Sequence, residues 1–375
     1  MKKKPSFAGS ARSLIAASRM AAGAGAAGGT GQAEQQGDEE NQLDQLPVYA
    51  FSWNVGGLDA AGLSDKLLEE AFAGAAGHDL LVIGLQEVTD MGGGVWGVPV
   101  SSLHAETTAK GEAWTARLSE FLGKNSLTFG GGSDDRDFIC VGTQECAPSS
   151  MLLVFVARTL AASPAVLLSG GLALKTAKLG CGPGGVGTKG GAGASLSVRN
   201  VTLGFVSAHL PAHQNKVKAR NHAYDAIRSG LLLGLETADV EIWLGDLNYR
   251  IDLPYDEVVN ELIPNKRWAA LREEEQLSAQ IKSGSAFKGF SEGELDFAPT
   301  YKFNDIVFAA GQSEGGVADV YDTSKKKRVP AWTDRVLFRD PDYHAQLKSY
   351  TSVPSVRVSD HRPVAASFVL RTECS

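Results

Sequence analysis

Hydrophobic and polar positions alternate with period two from Leu46 onward. In LPVYAFSWNV, Tyr49, Phe51 and Trp53 fall on one face and Asn54 on the other, which predicts a strand ending in a polar side chain. Residues 64–76 read as helical. DLLVIGLQEV is a continuous apolar run ending at Glu87, the pattern of a strand covered on both faces. The same reasoning predicts a helix over 107–122 and strands over SMLLVFVAR and ASLSVRNVTLGFVSAHL, the last ending at His209. Residues 212–235 read as a helix. A short strand over Ile242–Leu244 follows, closed by Gly245, and then a charged, helix-prone stretch over 254–282. RVLFRD and PVAASFVL complete the chain as strands, and glycine runs at 92–94, 130–132 and 180–193 read as loops. Strands outnumber helices and recur throughout, which favours a β-sandwich with helices packed outside.

Composition adjusts this picture at the ends. Residues 1–45 cluster basic residues early (Lys2, Lys3, Lys4, Arg12, Arg19), then run through Ala and Gly to an acidic patch at 38–40. Arg19 interrupts any signal-peptide core. A transit peptide fits better, since no acid precedes Glu34, but a disordered leader fits best because so little of the segment can pack. The folded unit is therefore expected over 46–371, with 372–375 as a tail. The formal net charge of -7 argues against a protein built to grip nucleic acid, so an anionic ligand must meet a local basic cluster. Four cysteines form no C-x-x-C pair and no zinc spacing, the usage of reduced thiols in a cytoplasmic compartment. No run of about 18 apolar residues exists, so no transmembrane segment is expected.

Candidate chemistry gathers at strand ends. In EIWLGDLNYR, Asp246 and Asn248 lie two apart, a spacing that in extended backbone points both side chains into one space. Taken alone, that pair reads first as a turn-capping Asx motif. Asn54, Glu87, His209, Asp246 with Asn248, and His361 in SDHRPV each sit beside a strand end. A capping Asn, a surface Glu or a hydrogen-bonded His explains any one of them. Five such ends converging would supply oxygen ligands for one divalent cation plus two imidazoles, a donor set suited to magnesium rather than zinc. No C-x5-R phosphatase loop is visible, so metal-assisted hydrolysis is the chemistry these residue types favour.

The motifs FSWNVGG, LQEV, SAHLPAH followed by RN, WLGDLNYR, EGELDFAPTYKF, KKKRVPAWTDRVLF and SDHRPV stand in this order between about Val48 and Val369. In that set the chain resembles the inositol polyphosphate 5-phosphatases of the endonuclease/exonuclease/phosphatase superfamily. The resemblance implies an α/β four-layer sandwich, two packed mixed β-sheets flanked by helices. It implies a Mg2+ ion held by Glu87 with Asn54 beside it, and Asp360 ordering the metal site or His209. Asp246 would orient and deprotonate the attacking water, and Asn248 would hold the phosphate or that water. His361 would contact the scissile phosphoryl group with Asp334 as its carboxylate partner, and His209 would be a second phosphate-contacting histidine. Tyr301, Lys302, Lys326 and Arg328 would clamp the phosphate next to the one removed, and Lys189 would touch substrate.

The implied partner is a phosphoinositide lipid or a soluble inositol polyphosphate, with peripheral membrane contact through Val95, Trp96 and Val98 of MGGGVWGVPV if the lipid is the substrate. Two positions depart from the family pattern: Thr188 stands where an amide is usual, and Ala223 where an acid is usual. A superfamily nuclease, a sphingomyelinase-like phosphodiesterase and a catalytically silent phosphoinositide-binding module are the alternatives.

Overall fold

The computed structural model describes residues 45–89, 100–124, 136–146, 150–162, 173–179, 189–199, 201–235, 238–304 and 320–372. The leader, the glycine runs at 92–94 and 130–132, Val95, Trp96, Val98 and Thr188 lie outside them. In chain order the strands are β1 (Gln45–Asn54), β2 (Leu80–Gln86), β3 (Phe138–Cys146), β4 (Ser150–Ala157), β5 (Ala173–Leu179) and β6 (Lys189–Val198). They continue with β7 (Val201–His209), β8 (Val240–Asp246), β9 (Ser291–Glu292), β10 (Asp334–Arg339), β11 (Ala345–Ser352) and β12 (Val364–Arg371). One sheet has the order β11-β12-β1-β2-β4-β3, the other β5-β6-β7-β8-β10-β9. Each sheet has one parallel pair at its centre, β1 with β2 and β7 with β8, and antiparallel neighbours outside it.

The period-two pattern explains the layers. In β1, Val48 and Ala50 turn toward the second sheet and join Leu203, Phe205, Ile242 and Leu244 in the core between the sheets. Tyr49, Phe51 and Trp53 turn outward and pack with helix α1 (Asp65–Ala71) and helix α2 (Val100–Lys124), burying Leu67, Leu68, Trp114 and Leu118. Ser64 caps α1, its Oγ accepting the Leu67 N–H at 3.2 Å. Behind the second sheet, α3 (Val217–Leu235) and α4 (Gln276–Ser283) cover Val206, Ala208 and Trp243. Helix, sheet, sheet, helix is the four-layer α/β arrangement expected. No helix among the described residues is long and apolar enough to cross a membrane.

Four strands escape the hydrophobic pattern, β3, β5, β9 and β11, and all four are sheet edges. An edge strand packs on fewer sides and needs no continuous apolar face; β11, AQLKSYTS, is mostly exposed or half-buried. The glycine run read as a loop to 193 is corrected too, because Lys189–Val198 is strand β6. Its glycines serve packing: a Cβ on Gly191 would lie 2.7 Å from Ile227 Cγ2, so only the bare backbone lets α3 settle on the sheet. Gly245 does not end β8 but lies inside it at φ 144, where a Cβ would meet the Ala208 carbonyl oxygen at 1.9 Å. Ala223 is buried among Tyr224, Ile227 and Leu231 on the packed face of α3, in the interior rather than at the site.

This packing predicts that Gly191→Ala lowers the unfolding free energy in urea by about 1–3 kcal/mol, the usual cost of overpacking. Adding Ile227→Ala, which removes the clashing methyl, should make the pair less destabilising than the sum of the two single changes.

Candidate active site

Strand direction decides what gathers at one rim. Asn54 ends β1 opposite Gln86 of β2, so Glu87 emerges beside it. His209 ends β7 in register with Asp246 of β8. The antiparallel neighbours run the other way and contribute their first residues instead. Asp334 opens β10 opposite Asp246, Gly190 of β6 pairs with His209 so that Lys189 starts at the same rim, and His361 lies just before β12. All of these side chains are therefore delivered to one end of the sandwich.

Asp246 is at the centre, with 2% of its surface exposed. Its Oδ2 accepts from Asn54 Nδ2 at 3.0 Å, across the two sheets, and lies 3.3 Å from His209 Nε2. Its Oδ1 accepts the Asn248 N–H at 3.1 Å. Burial by itself would raise this carboxyl, but the His209 hydrogen bond and the positive charges of His209, His361 and Lys189 outweigh it and hold Asp246 well below the usual carboxylate range. Lys189 Nζ contacts His209 Nε2. Burial lowers the Lys189 ammonium, opposed by Asp246 and Glu87.

Glu87, His209 and Asp246 each present a ligand atom, and these atoms lie within 4.8 Å of one another. Two carboxylates at the open rim, where 44% of the Glu87 side chain is exposed, are donors for a hard divalent cation. The residues present fit such an ion. Asn54 sits one bond away, its Oδ1 accepting the Gly56 N–H at 3.1 Å. Asp360 stands outside the trio and pairs with Lys302 Nζ at 2.5 Å. Neighbouring Ser359 ties that loop to β1 through a 2.8 Å bond to the Asn54 carbonyl.

The expected side-by-side projection of Asp246 and Asn248 is corrected. Asn248 has φ 58, outside extended backbone, and the bond from its N–H to Asp246 makes an Asx-type turn. Its carboxamide swings aside, Nδ2 donating to the Leu210 carbonyl at 3.1 Å and Oδ1 accepting from the Arg250 guanidinium. Arg250, which pattern reasoning passed over, lies over the Tyr301 ring at 4.5 Å, and that ring lies 4.5 Å from the His361 imidazole. Its position at the end of WLGDLNYR, two residues past Asn248, was the available signal.

His361 Nδ1 lies 2.9 Å from Asp334 Oδ2, which also accepts from Thr300 Oγ1 at 2.8 Å and Thr333 Oγ1 at 3.0 Å. Both threonines are further residues that no spacing pattern revealed. Burial would lower His361, but Asp334 first, then Asp360 and Asp246, raise it to about 9. Burial raises the Asp334 carboxyl, and the charge and hydrogen bond of His361 oppose that rise. His361 Nε2 faces Asp246 Oδ2 across 4.0 Å. That is too long for a direct hydrogen bond, yet both groups can reach one oxygen placed about 2.8 Å from each.

Beside this centre opens a cleft of about 710 Å³ whose lining includes Arg250, Tyr301, Lys326, Lys327 and Arg328, together with His213 and Leu253. Three of the expected clamp residues, Tyr301, Lys326 and Arg328, thus line the cleft, Tyr301 on the side that meets His361, while Lys302 pairs with Asp360. Several motif residues turn inward. Arg335 is fully buried, bonded to Glu275 at 2.9 Å and to Glu292. Arg220 holds the loop after β7 by donating to the carbonyls of Pro211 at 3.2 Å and His213 at 2.7 Å.

Residues 51–367 match the family described as Endonuclease/Exonuclease/phosphatase family 2. Synaptojanin of Caenorhabditis elegans is 34% identical over 301 residues, 78% of this chain and 24% of that protein. Type IV inositol polyphosphate 5-phosphatase 11 of Arabidopsis thaliana is 43% identical over 197 residues, 51% of this chain and 55% of that protein. The chain thus spans less than two thirds of the length of these curated relatives. Among solved structures, the inositol polyphosphate 5-phosphatase domain of SPsynaptojanin, in complex with inositol (1,4)-bisphosphate and calcium ion, aligns with a TM-score of 0.67 at 28% identity. That alignment covers 90% of this chain and 91% of the other. With the strand order, the rim of acids and imidazoles and the family match in agreement, the chain belongs to endonuclease/exonuclease/phosphatase family 2, and its relatives there are inositol polyphosphate 5-phosphatases.

Proposed function

We propose that this chain is a magnesium-dependent phosphomonoesterase that removes the 5-phosphate from phosphoinositides, soluble inositol polyphosphates, or both, by direct attack of water. The observation that carries this reading is a buried carboxylate, Asp246, with His209 and His361 within 4.0 Å of it, beside a cleft lined by cationic side chains. A chain of net charge -7 has little general attraction for a polyanion, so a local group of Arg250, Lys326, Lys327 and Arg328 is what such a substrate requires.

Glu87 and Asp246, with Asn54 adjacent, would hold the magnesium ion, which supplies Lewis-acid neutralisation of phosphoryl charge. The chain's own groups do the rest. Asp246 accepts a hydrogen bond from the attacking water and takes its proton as the new P–O bond forms and the bond from phosphorus to the inositol 5-oxygen breaks. The departing oxygen is released as a hydroxyl, the proton on Asp246 being the one returned to it through solvent. Its low pKa makes it a strong orienting anion and a weak resting base, so proton transfer belongs late in the step. Protonated His361 donates Nε2–H to a phosphoryl oxygen, while Asp334 fixes the proton on the opposite ring nitrogen. Lys189 places a further ammonium, and His209 an imidazole, beside the developing negative charge on the equatorial oxygens. Tyr301, Lys302, Lys326 and Arg328 hold the neighbouring phosphate and so fix which ester reaches the rim.

Purified chain with magnesium should release phosphate from a 5-phosphorylated inositol compound, and Asp246→Asn and His361→Asn should each lower kcat at least ~10²-fold. Turnover of abasic DNA, RNA or sphingomyelin in place of the inositol compound would overturn the substrate assignment, and tight headgroup binding with no turnover would mark a silent binding module.

His361 supplies the pH test. Its folded-state pKa, about 9, is raised above the ordinary 6.5. Its protonated contribution is therefore complete below the lower value and is lost as pH rises through about 9. The alkaline limb of the kcat profile should fall there, and Asp334→Asn, by removing the main cause of the rise, should move that limb to lower pH.

Lys326→Ala combined with Arg328→Ala should raise KM about tenfold or more for substrates bearing a 4-phosphate, with a smaller change for those lacking it. Equal changes on both, in steady-state assays, would remove the clamp from the proposal.

A further inference from the structure

The basic run Lys325 to Arg328 contains four adjacent cations, which repel one another and carry long, rotamer-rich side chains. Left alone, such a segment would be ordered only when an anion binds, at an entropic cost for each long side chain that is fixed. Here part of that cost is met in advance: Asp256 reaches Lys327 Nζ at 3.5 Å, and a second acid, neither at the rim nor among the expected clamp residues, holds the backbone of the run and the Arg328 guanidinium. Asp322 is 1% exposed. Its Oδ2 accepts both the backbone N–H of Arg328 and Arg328 Nη1, each at 3.0 Å. Its Oδ1 accepts the Ser324 N–H at 2.9 Å, and Ser324 Oγ in turn accepts the Lys326 N–H at 3.3 Å. The Asp322 backbone N–H donates to the Lys302 carbonyl at 2.9 Å. One residue thus fastens the Lys326–Arg328 side of the cleft to the Tyr301–Lys302 side.

We infer that Asp322 is a specificity-determining positioning residue: it pre-forms the cationic wall so that a second phosphate, adjacent to the one being removed, is met by an already oriented guanidinium. The inference rests on the phosphatase reading above but concerns a residue that touches neither substrate nor metal in it. Placing a carboxylate in an anion site weakens the bare electrostatic attraction. It is worth that loss only because an Arg tethered through Nη1 keeps its remaining N–H groups in a fixed fork, and a fixed fork selects a phosphate at one position over the same charge elsewhere. The carboxyl is held at about 2: burial raises it, but hydrogen bonds from Ser324 and Arg328 overcome that. The tether therefore stays charged throughout the working pH range.

The test uses the full chain with magnesium and two probes, inositol 1,4,5-trisphosphate and inositol 1,5-bisphosphate, which differ only in the 4-phosphate. Asp322→Asn should raise KM for the trisphosphate about tenfold, at least fivefold more than for the bisphosphate, with kcat falling less than KM rises. Asp322→Glu, which keeps the charge on a longer arm, should recover part of the difference, and it carries the comparison if the Asn variant does not fold. In an Arg328→Ala background, Asp322→Asn should add little, because its effect passes through that guanidinium. A loss of equal size on both probes, or an additive loss in the double variant, would reduce Asp322 to a structural residue and overturn the inference. Calorimetric binding of the trisphosphate to Asp246→Asn protein, with and without Asp322→Asn, reads the same effect without turnover. An inactive wild type that still binds, and loses affinity on Asp322→Asn, would sink the phosphatase reading while sustaining this one.

Discussion

The molecule depends on a hydrogen bond between side chains 192 residues apart, Asn54 Nδ2 to Asp246 Oδ2. It joins the two sheets at the rim where their central parallel pairs end. A carboxylate this deeply buried is tolerated only if every direction around it supplies a donor or a positive charge. Asn54, the Asn248 N–H and His209 supply the donors, and Lys189 and His361 add charge. Remove the face-to-face packing of the sheets and Asn54 and His361 lose their approach to Asp246, while His209 and Lys189, carried on neighbouring strands of its own sheet, stay beside it.

Below that rim the same two strand pairs are bridged by a short polar ladder. Gln86 Nε2 donates to Ser207 Oγ at 3.3 Å, and Ser150 Oγ donates to the Ser207 carbonyl at 3.0 Å. Farther down the sandwich the contacts become wholly apolar, through Val48, Leu80, Phe205 and Ile242. The polarity gradient along the strands therefore points one way, from a dry core to a charged mouth. It gives the catalytic rim a rigid floor, which is what orientation-dependent chemistry needs.

How much of this was visible beforehand varied with the kind of signal. Strands covered on both faces, β1, β2, β4, β7 and β8, announced themselves as apolar runs because burial demands apolar residues at nearly every position. Edge strands did not, since partial exposure relaxes that demand. Glycines misled twice, at Gly191 and Gly245. A missing side chain looks the same in sequence whether it permits a turn or a close approach of two elements, and here it permits the second. Asn248 misled in the opposite sense. The spacing i, i+2 promises a shared direction only while the backbone stays extended, and at φ 58 it does not.

Sequence alone determined the residue types of the site and their association with strand ends, because a polar residue closing an apolar run is a local feature with a local cause. It also determined the family, through ordered motifs whose spacing survives substitution elsewhere. Only the tertiary structure decided which motif residues face the chemistry and which face the core: Asp334 points to His361 while its neighbour Arg335 is enclosed by Glu275 and Glu292. Only the tertiary structure brought Lys302 to Asp360 and the Tyr301 ring under Arg250 as well. The reason is physical. Those pairings join elements distant along the chain, and their energies depend on burial and mutual orientation, neither of which exists until the two sheets have closed on each other.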